Sequence, residues 1–216
     1  MADIFQEVDE DLRRERAGAL WRRYGIYVVG VALALVVGTA AWSGWRYYDT
    51  NQKLQAGDRF TQAMLAANQG QTDAAVTGFA EVASGGAAGY AVLSRMQAAA
   101  LKVRAGDRAE AAGIYDGVAA DATVPETYRQ AALLLSVMQS ADAGDPKALS
   151  DRLAPLAADD NPWRHTAREL QAVLAVRANE PDRARTILEA LAKDAAAPQS
   201  LRTRAAELVR ALGGGA

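Results

Sequence analysis

The sequence contains no cysteine and a single histidine, His165, among its 216 residues. It therefore forms no disulfide and has neither a thiolate nucleophile nor a thiolate metal site. Multi-histidine metal sites and Cys-His pairs lack partners, and no serine triad is recognisable. His165 and Glu169 are spaced to share a helix face, but two groups do not make a metal site, so a surface ion pair or a first-turn histidine is the simpler interpretation. We predict a protein that is not an enzyme and needs no metal or cofactor.

Aromatic residues, strand patterns and excess charge are also scarce. Aromatics make up 6% of the chain, and no stretch after Arg46 shows the β-branched alternation of a strand. After residue 45 the chain carries 19 basic and 20 acidic residues, so it lacks the basic stripe of a nucleic-acid-binding protein. The glycine-rich segment 85–89 lacks the Lys-Ser/Thr pair of a phosphate-binding loop, and no small-molecule substrate is evident. These absences favour close-packed helices.

An uncharged apolar stretch runs from Tyr24 to Trp45, between Arg23 and Arg46. A bilayer core of about 30 Å needs roughly 20 helical residues, and a helix satisfies its own backbone in lipid. The stretch, residues 24–45, is long enough and is predicted to be a transmembrane helix. Aromatic and basic residues gather at membrane–water interfaces. The predicted interface anchors are Trp21, Arg22, Arg23, Tyr24, Trp42, Trp45 and Arg46.

Two other interpretations of this stretch remain open, a cleaved signal peptide and the buried core helix of a soluble protein. Residues 38–40, Gly-Thr-Ala, are compatible with a cleavage site, but a signal peptide has a short basic leader and an apolar run of about 7–15 residues. The leader here, residues 1–23, carries six acidic residues, which favours an uncleaved anchor. Near the span, five basic residues precede it and three follow it. The positive-inside rule places the leader in the cytoplasm and the rest across the inner membrane, in the periplasm.

Beyond the span the sequence repeats. Turn-forming residues recur at Gly70, Gly106, Gly144 and Asn179, and a similar pattern follows each. Three apolar columns stand five, nine and twelve residues after these turns, which places them on one helix face. Such a period predicts an all-α solenoid of about four degenerate tetratricopeptide-like hairpins, in which neighbouring hairpins bury the apolar face that one hairpin cannot bury alone. The alternative is a bundle of amphipathic helices whose regular spacing is accidental. The predicted repeat core is Ala75, Phe79, Val82, Ala111, Tyr115, Val118, Leu149, Leu153, Leu156, Ala184, Leu188 and Leu191.

The first helix of each later hairpin is predicted over 90–101, 127–138 and 163–176. Solenoids of this kind bind extended peptides or helices along their first helices. Tyr90, Tyr128 and Trp163 each begin one of these helices, and aromatics are favoured anchors at interfaces. We therefore predict that they line a partner-binding groove, although core packing is an equally good interpretation of each. An amphipathic segment over 199–212 is predicted to cap the stack, and a glycine-rich tail, 213–216, follows it.

Three stretches resemble the YfgM-like family of ancillary SecYEG translocon subunits, namely the charged leader MADIFQEVDEDLRRER, the exit GTAAWSGWRYYDT and the degenerate repeats. The patterns described above predict four segments: a cytoplasmic leader (1–23), a transmembrane helix (24–45), a periplasmic tetratricopeptide-like domain (46–212) and a glycine-rich tail (213–216). The resemblance implies an inner-membrane protein whose C-terminal domain is periplasmic. It also implies two protein partners, SecYEG and a PpiD-like membrane-anchored chaperone, and a role in assisting newly translocated proteins. The alternative is a scaffold of another envelope complex, in cell division, cytochrome maturation or outer-membrane assembly.

Overall fold

The computed structural model describes the backbone of residues 3–85 and 88–213, and their side chains except those of residues 3–20, 22, 25 and 28. The described residues form nine α-helices and one short 3-10 helix, with no strand among them, which confirms the all-α prediction. The helices are α1 (Asp3–Asn68), α2 (Thr72–Ser84), α3 (Ala88–Ala105), α4 (Arg108–Ala120), α5 (Glu126–Ser140), α6 (Pro146–Leu153), α7 (Arg164–Arg177), α8 (Pro181–Lys193) and α9 (Gln199–Ala211), and the 3-10 helix is Ala154–Ala157.

The chain forms two compact units, residues 1–54 and 55–216, and α1 contributes to both. The predicted boundaries at 23/24 and 45/46 fall inside α1 and stay predictions. By length and composition, α1 contains one segment, Val29–Asn68, that is long and apolar enough to cross a membrane. Apolar side chains of the predicted span are exposed, among them Ile26 at 79% and Val36 at 64%. Such a surface needs an apolar environment to cover it.

The second unit is a stack of helical hairpins. Residues 55–68 of α1 pair with α2, and the hairpins α3–α4, α5–α6 and α7–α8 follow before α9. All twelve residues predicted for the repeat core are buried, at 6% exposure or less. Their clusters bridge successive hairpins: Phe79 of α2, for example, packs in one cluster with Leu101 of α3. Each hairpin therefore buries its apolar face against its neighbour.

Three of the four hairpin turns use the same hydrogen bonds. In the α3–α4 turn the N–H of Gly106 donates to the carbonyl of Val103 (3.1 Å), and the N–H of Asp107 donates to the carbonyl of Lys102 (2.9 Å). This is the Schellman motif, which needs a left-handed residue after the helix. Equivalent bonds close the α1–α2 and α7–α8 turns. The left-handed residues are Gly70 (φ 77°), Gly106 (φ 91°) and Asn179 (φ 61°).

The α5–α6 turn is different, because it is longer. Gly144 is not among the residues with positive φ in the described chain, and an added Cβ there would lie 2.9 Å from Leu149 Cδ1. The following helix starts on a side-chain cap, since the Asp145 carboxylate accepts from the N–H groups of Lys147 and Ala148. In the sequence, Leu65, Leu101 and Leu174 stand five residues before the other three turn residues, and Gln139 takes this place before Gly144. Val137, two residues earlier, is fully buried.

Helix α9 closes the stack. The amphipathic pattern of 199–212 predicts Leu201, Ala205, Leu208 and Leu212 on one side of this helix. Leu201, Ala205 and Val209 are buried against α8, whereas Leu208 and Leu212 are only partly buried. Near the C-terminal end of α9, the buried face is therefore centred on Val209, one residue later than the predicted Leu208. Of the predicted tail, residues 214–216 lie outside the described residues, as do Gly86 and Ala87 of the glycine-rich loop.

Candidate interaction surface

Two of the three aromatic residues predicted to line a groove pack inside the fold. The ring of Tyr90 lies 5.7 Å from that of Phe60, centroid to centroid, and an added Cβ on Gly57 would meet the Tyr90 hydroxyl at 2.9 Å. Gly57 therefore gives α1 the close approach that this ring needs. Trp163 packs on the cluster formed by α5, α6 and α7. Only Tyr128 is exposed, at 41%, so the structure does not bring the three residues together in one groove.

A different set of apolar side chains is exposed on the first helices. Within the described residues 88–213, every exposed large hydrophobic side chain belongs to α3, α5 or α7. The second helices α4, α6 and α8, and α9, contribute none. We call this set the first-helix surface. Its members are Leu93, Tyr128, Met138, Val173 and Val176, at 36–45% exposure.

The chemistry of the first-helix surface suits an apolar partner. Helix α5 has no charged residue between Gln130 and Ser140, so Met138 lies in a neutral stretch. Methionine adapts its shape to different partners, and tyrosine adds a hydrogen-bonding hydroxyl to a large contact area. Exposed apolar groups on consecutive helices of a stack are typical of surfaces that bind a peptide or a helix. Sequence periodicity missed Leu93, Val173 and Val176, although each directly follows a buried residue of its own helix, namely Val92, Ala172 and Ala175.

An aspartate in the loop after α4 holds α3 in place. Asp121 pairs with Arg95 of α3 at 3.0 Å, and its other oxygen accepts from the hydroxyl (2.6 Å) and N–H (3.0 Å) of Thr123. These bonds from Thr123, followed by the one from Arg95, lower the pKa of Asp121. The carboxylate therefore joins the first helix of one hairpin to the loop that starts the next.

The same arrangement recurs two hairpins later. Asp194 Oδ2 lies 2.9 Å from His165 Nε2, and Asp194 Oδ1 accepts from the N–H of Ala196 at 2.8 Å. The Ala196 N–H and then His165 lower the pKa of Asp194. The sequence contained the signal, because Asp-Ala-Thr-Val-Pro at 121–125 and Asp-Ala-Ala-Ala-Pro at 194–198 share a pattern. These loops hold the first helices, and with them the first-helix surface.

Of the two interpretations of His165, the structure shows a histidine in the first turn of α7, which does not pair with Glu169. His165 is buried against Asp194, whereas Glu169 accepts from Arg204 of α9, with one Nη2–Oε2 distance of 2.8 Å. A histidine in the first turn of α7 points back to the loop before α9, and a glutamate one turn later reaches α9 itself. No group of three or more His, Cys, Asp or Glu residues in the described part of the chain is placed to hold a metal ion.

The predicted membrane-interface anchors all belong to α1. The Arg23 guanidinium lies 5.7 Å from the centre of the Tyr24 ring, a cation–π distance. The side chain of Arg22 lies outside the described residues. The other aromatic anchors and Arg46 are exposed: Trp21 (62%), Trp42 (70%), Trp45 (73%) and Arg46. Their role at a membrane surface remains a prediction.

The model of the tetratricopeptide repeat-like domain family matches residues 19–196 of the chain. The chain belongs to this family. No curated protein and no solved structure matches it. Tetratricopeptide repeat-like domains are typically non-catalytic protein-interaction modules, and stacked hairpins of this kind present extended binding surfaces. The family therefore indicates a protein-interaction module.

Proposed function

We propose that this protein is anchored in the bacterial inner membrane by residues 24–45 and binds protein partners in the periplasm through the first-helix surface. The basic residues before the span support this orientation. The apolar exterior of α1 supports a membrane environment for the span. One observation carries the binding role: exposed large apolar side chains among the described residues 88–213 are confined to α3, α5 and α7.

The more specific proposal is that the protein is an ancillary subunit of the SecYEG translocon, acting with a PpiD-like membrane-anchored chaperone on newly translocated proteins. The leader and the exit from the span support it by their resemblance to the YfgM-like family. An unfolded chain emerging from a channel exposes apolar side chains, and the first-helix surface offers a neutral apolar partner for them. A membrane tether raises the effective concentration of a binding module near the channel without any new contact. Weak intrinsic affinity is then sufficient.

Site-specific photo-crosslinking in intact membranes tests the partner. A photoreactive residue at Met138 or Val173 should capture translocon subunits, the chaperone or secretory chains. The control is a probe at Asp182 of α8, whose side chain is 93% exposed but lies outside the first-helix surface. Capture of cell-division or cofactor-assembly proteins would instead favour the envelope-scaffold alternative. Equal capture of the same proteins from Asp182 would remove the first-helix surface from the proposal.

Topology is tested separately. A reporter that is active only in the periplasm, fused after Ala216, should be active, and the same reporter fused before the span should be inactive. Membrane extraction with alkali should leave the chain in the pellet, because an uncleaved helix stays in lipid. A chain that appears in the soluble fraction and starts near Ala41 would show that the stretch is a signal peptide.

A further inference from the structure

The third hairpin departs from the others in three places. Helix α6 has 8 residues, whereas α2, α4 and α8 have 13 each. The chain then turns into the 3-10 helix 154–157, where Pro155 has no N–H for a longer α-helix. The turn before α6 lacks the left-handed residue of the other turns, and the loop after it uses Asn161 in place of an aspartate. Breaks in a repeated local rule are expected at functional sites.

A groove of about 460 Å³ lies where this hairpin meets the preceding one. Its volume falls within the range of roughly 300–1,000 Å³ typical of ligand sites. We call it the third-unit groove, and it contains none of the residues of the first-helix surface. Small and apolar side chains of α4, α5 and the 3-10 helix line it: Ala119, Ala120, Leu133, Pro155 and Leu156.

Arg129 also lines the third-unit groove, and it is partly buried without a partner. Its Nε is buried with no hydrogen bond, and no other nitrogen of this guanidinium makes a hydrogen bond or ion pair within the described part of the chain. Three more arginines have an unbonded buried Nε, but each binds an acceptor through another guanidinium nitrogen; they are Arg95, Arg185 and Arg202. The two terminal nitrogens of Arg129 are not buried, so they are free to donate to a ligand in the groove.

Neither acidic residue at the groove forms an ion pair with Arg129. Asp116 pairs with Arg152 at 2.5 Å. Glu126 accepts from the uncharged amide of Gln130 at 2.9 Å and keeps its own charge. A carboxylate from another molecule would satisfy Arg129, since a guanidinium binds a carboxylate through two parallel N–H donors.

We propose that the third-unit groove binds a segment of a partner protein in which an aspartate or glutamate stands next to a leucine-like residue. The carboxylate pairs with Arg129, and the apolar neighbour lies on Leu133 and Pro155, beneath which Leu156 is buried. The charge of the arginine selects the acidic residue, and these apolar side chains select the neighbour. This site is separate from the first-helix surface, so the domain can hold a second segment of one partner or a second partner.

Nuclear magnetic resonance of the full-length protein in detergent micelles, with labelled leucine methyl groups, tests the proposal. The probe is the synthetic peptide acetyl-Ala-Leu-Asp-Leu-Ala-Gly-amide, and the control peptide has lysine in place of aspartate. We expect saturable shifts of the Leu133 and Leu156 methyl signals with the acidic peptide only. Arg129→Gln should weaken binding by about tenfold or more, as for a partly buried charge pair. Arg104→Gln, at an exposed arginine of α3 outside the groove, should not weaken it.

Three results would overturn the proposal. The first is no saturable shift with millimolar acidic peptide. The second is equal binding of the lysine peptide, or binding that Arg129→Gln leaves unchanged. The third is a large drop in the melting temperature of Arg129→Met, measured without peptide. We expect no such drop, because the native arginine has no partner within the fold to lose, and a large drop would mean that it has a structural role.

Discussion

The left-handed turn at Gly106 makes a prediction in which two glycine-to-alanine substitutions have opposite effects. Gly106 ends α3 at φ 91°, and Gly117 lies inside α4. An added Cβ would meet no atom within 4 Å at either position, so new contacts do not enter the comparison. The difference comes from the backbone alone. Alanine is strained at a positive φ but is preferred to glycine inside a helix.

The magnitudes follow from these two conformations. Gly106→Ala should lower the free energy of unfolding by about 1–2 kcal/mol, the cost of a left-handed non-glycine residue. Gly117→Ala should raise it by about 0.5–1 kcal/mol. For a chain of this length, about 1 kcal/mol corresponds to roughly 2–4 °C in melting temperature. The two variants should therefore melt on opposite sides of wild type.

Thermal unfolding of the full chain in detergent micelles, followed by far-ultraviolet circular dichroism, measures the effect. Gly106→Asn is the matched control, because asparagine tolerates the left-handed region and Asn179 occupies it in the α7–α8 turn at φ 61°. It should melt between wild type and Gly106→Ala. If Gly106→Ala melts at or above wild type, the account of the hairpin turns is refuted. If Gly117→Ala melts below wild type by a similar amount, backbone conformation does not explain the effect of either substitution.

Burial and charge give two more predictions. In a urea titration, Leu153→Ala, at a fully buried position, should lower the free energy of unfolding by about 2–5 kcal/mol. Leu65→Ala, at 54% exposure, should change it by less than about 1 kcal/mol. Equal losses in the two variants would contradict the assignment of the core. Because the folded-state pKa values of Asp121 and Asp194 are lowered, each carboxylate stabilises the fold above the unfolded pKa of about 3.9, and this stability is lost as the pH falls through the folded value. Replacing both aspartates by asparagine should therefore reduce stability at neutral pH and make the decline on acidification shallower. Asp160→Asn, at an exposed aspartate with no ion pair among the described residues, should behave as wild type. An unchanged acid decline in the double variant would show that other groups dominate it.

The repeat could be read from the sequence because its columns reflect local geometry. Ala75, Phe79 and Val82 stand at offsets of four and three, and only one helix face satisfies that spacing. The turn glycines were visible for a similar reason, since a left-handed residue after a helix is nearly always glycine or asparagine. At Gly144 the same residue type serves a close contact with Leu149 instead. Composition alone does not distinguish the two uses.

The binding surface could not be read in the same way. Tyr90, Tyr128 and Trp163 look alike as aromatics that begin helices, yet one packs on Phe60, one is exposed and one packs on the α5–α7 cluster. Which of them is buried depends on what the neighbouring hairpins bring to it. The same holds for Arg129, whose lack of a partner becomes visible only when α4, α5 and the 3-10 helix are placed around it.

The sequence by itself determined the apolar span, the all-α class and the buried face of each hairpin, because hydrophobic length and helical period are properties of a single segment. Only the tertiary structure decided which faces stay exposed, which aspartates join successive hairpins and where the third hairpin opens a groove. These depend on contacts between residues about one repeat apart, such as Arg152 with Asp116 and Arg204 with Glu169. A helix period fixes the direction of a side chain around its own axis, but the neighbour that meets it is set by the stacking of the hairpins.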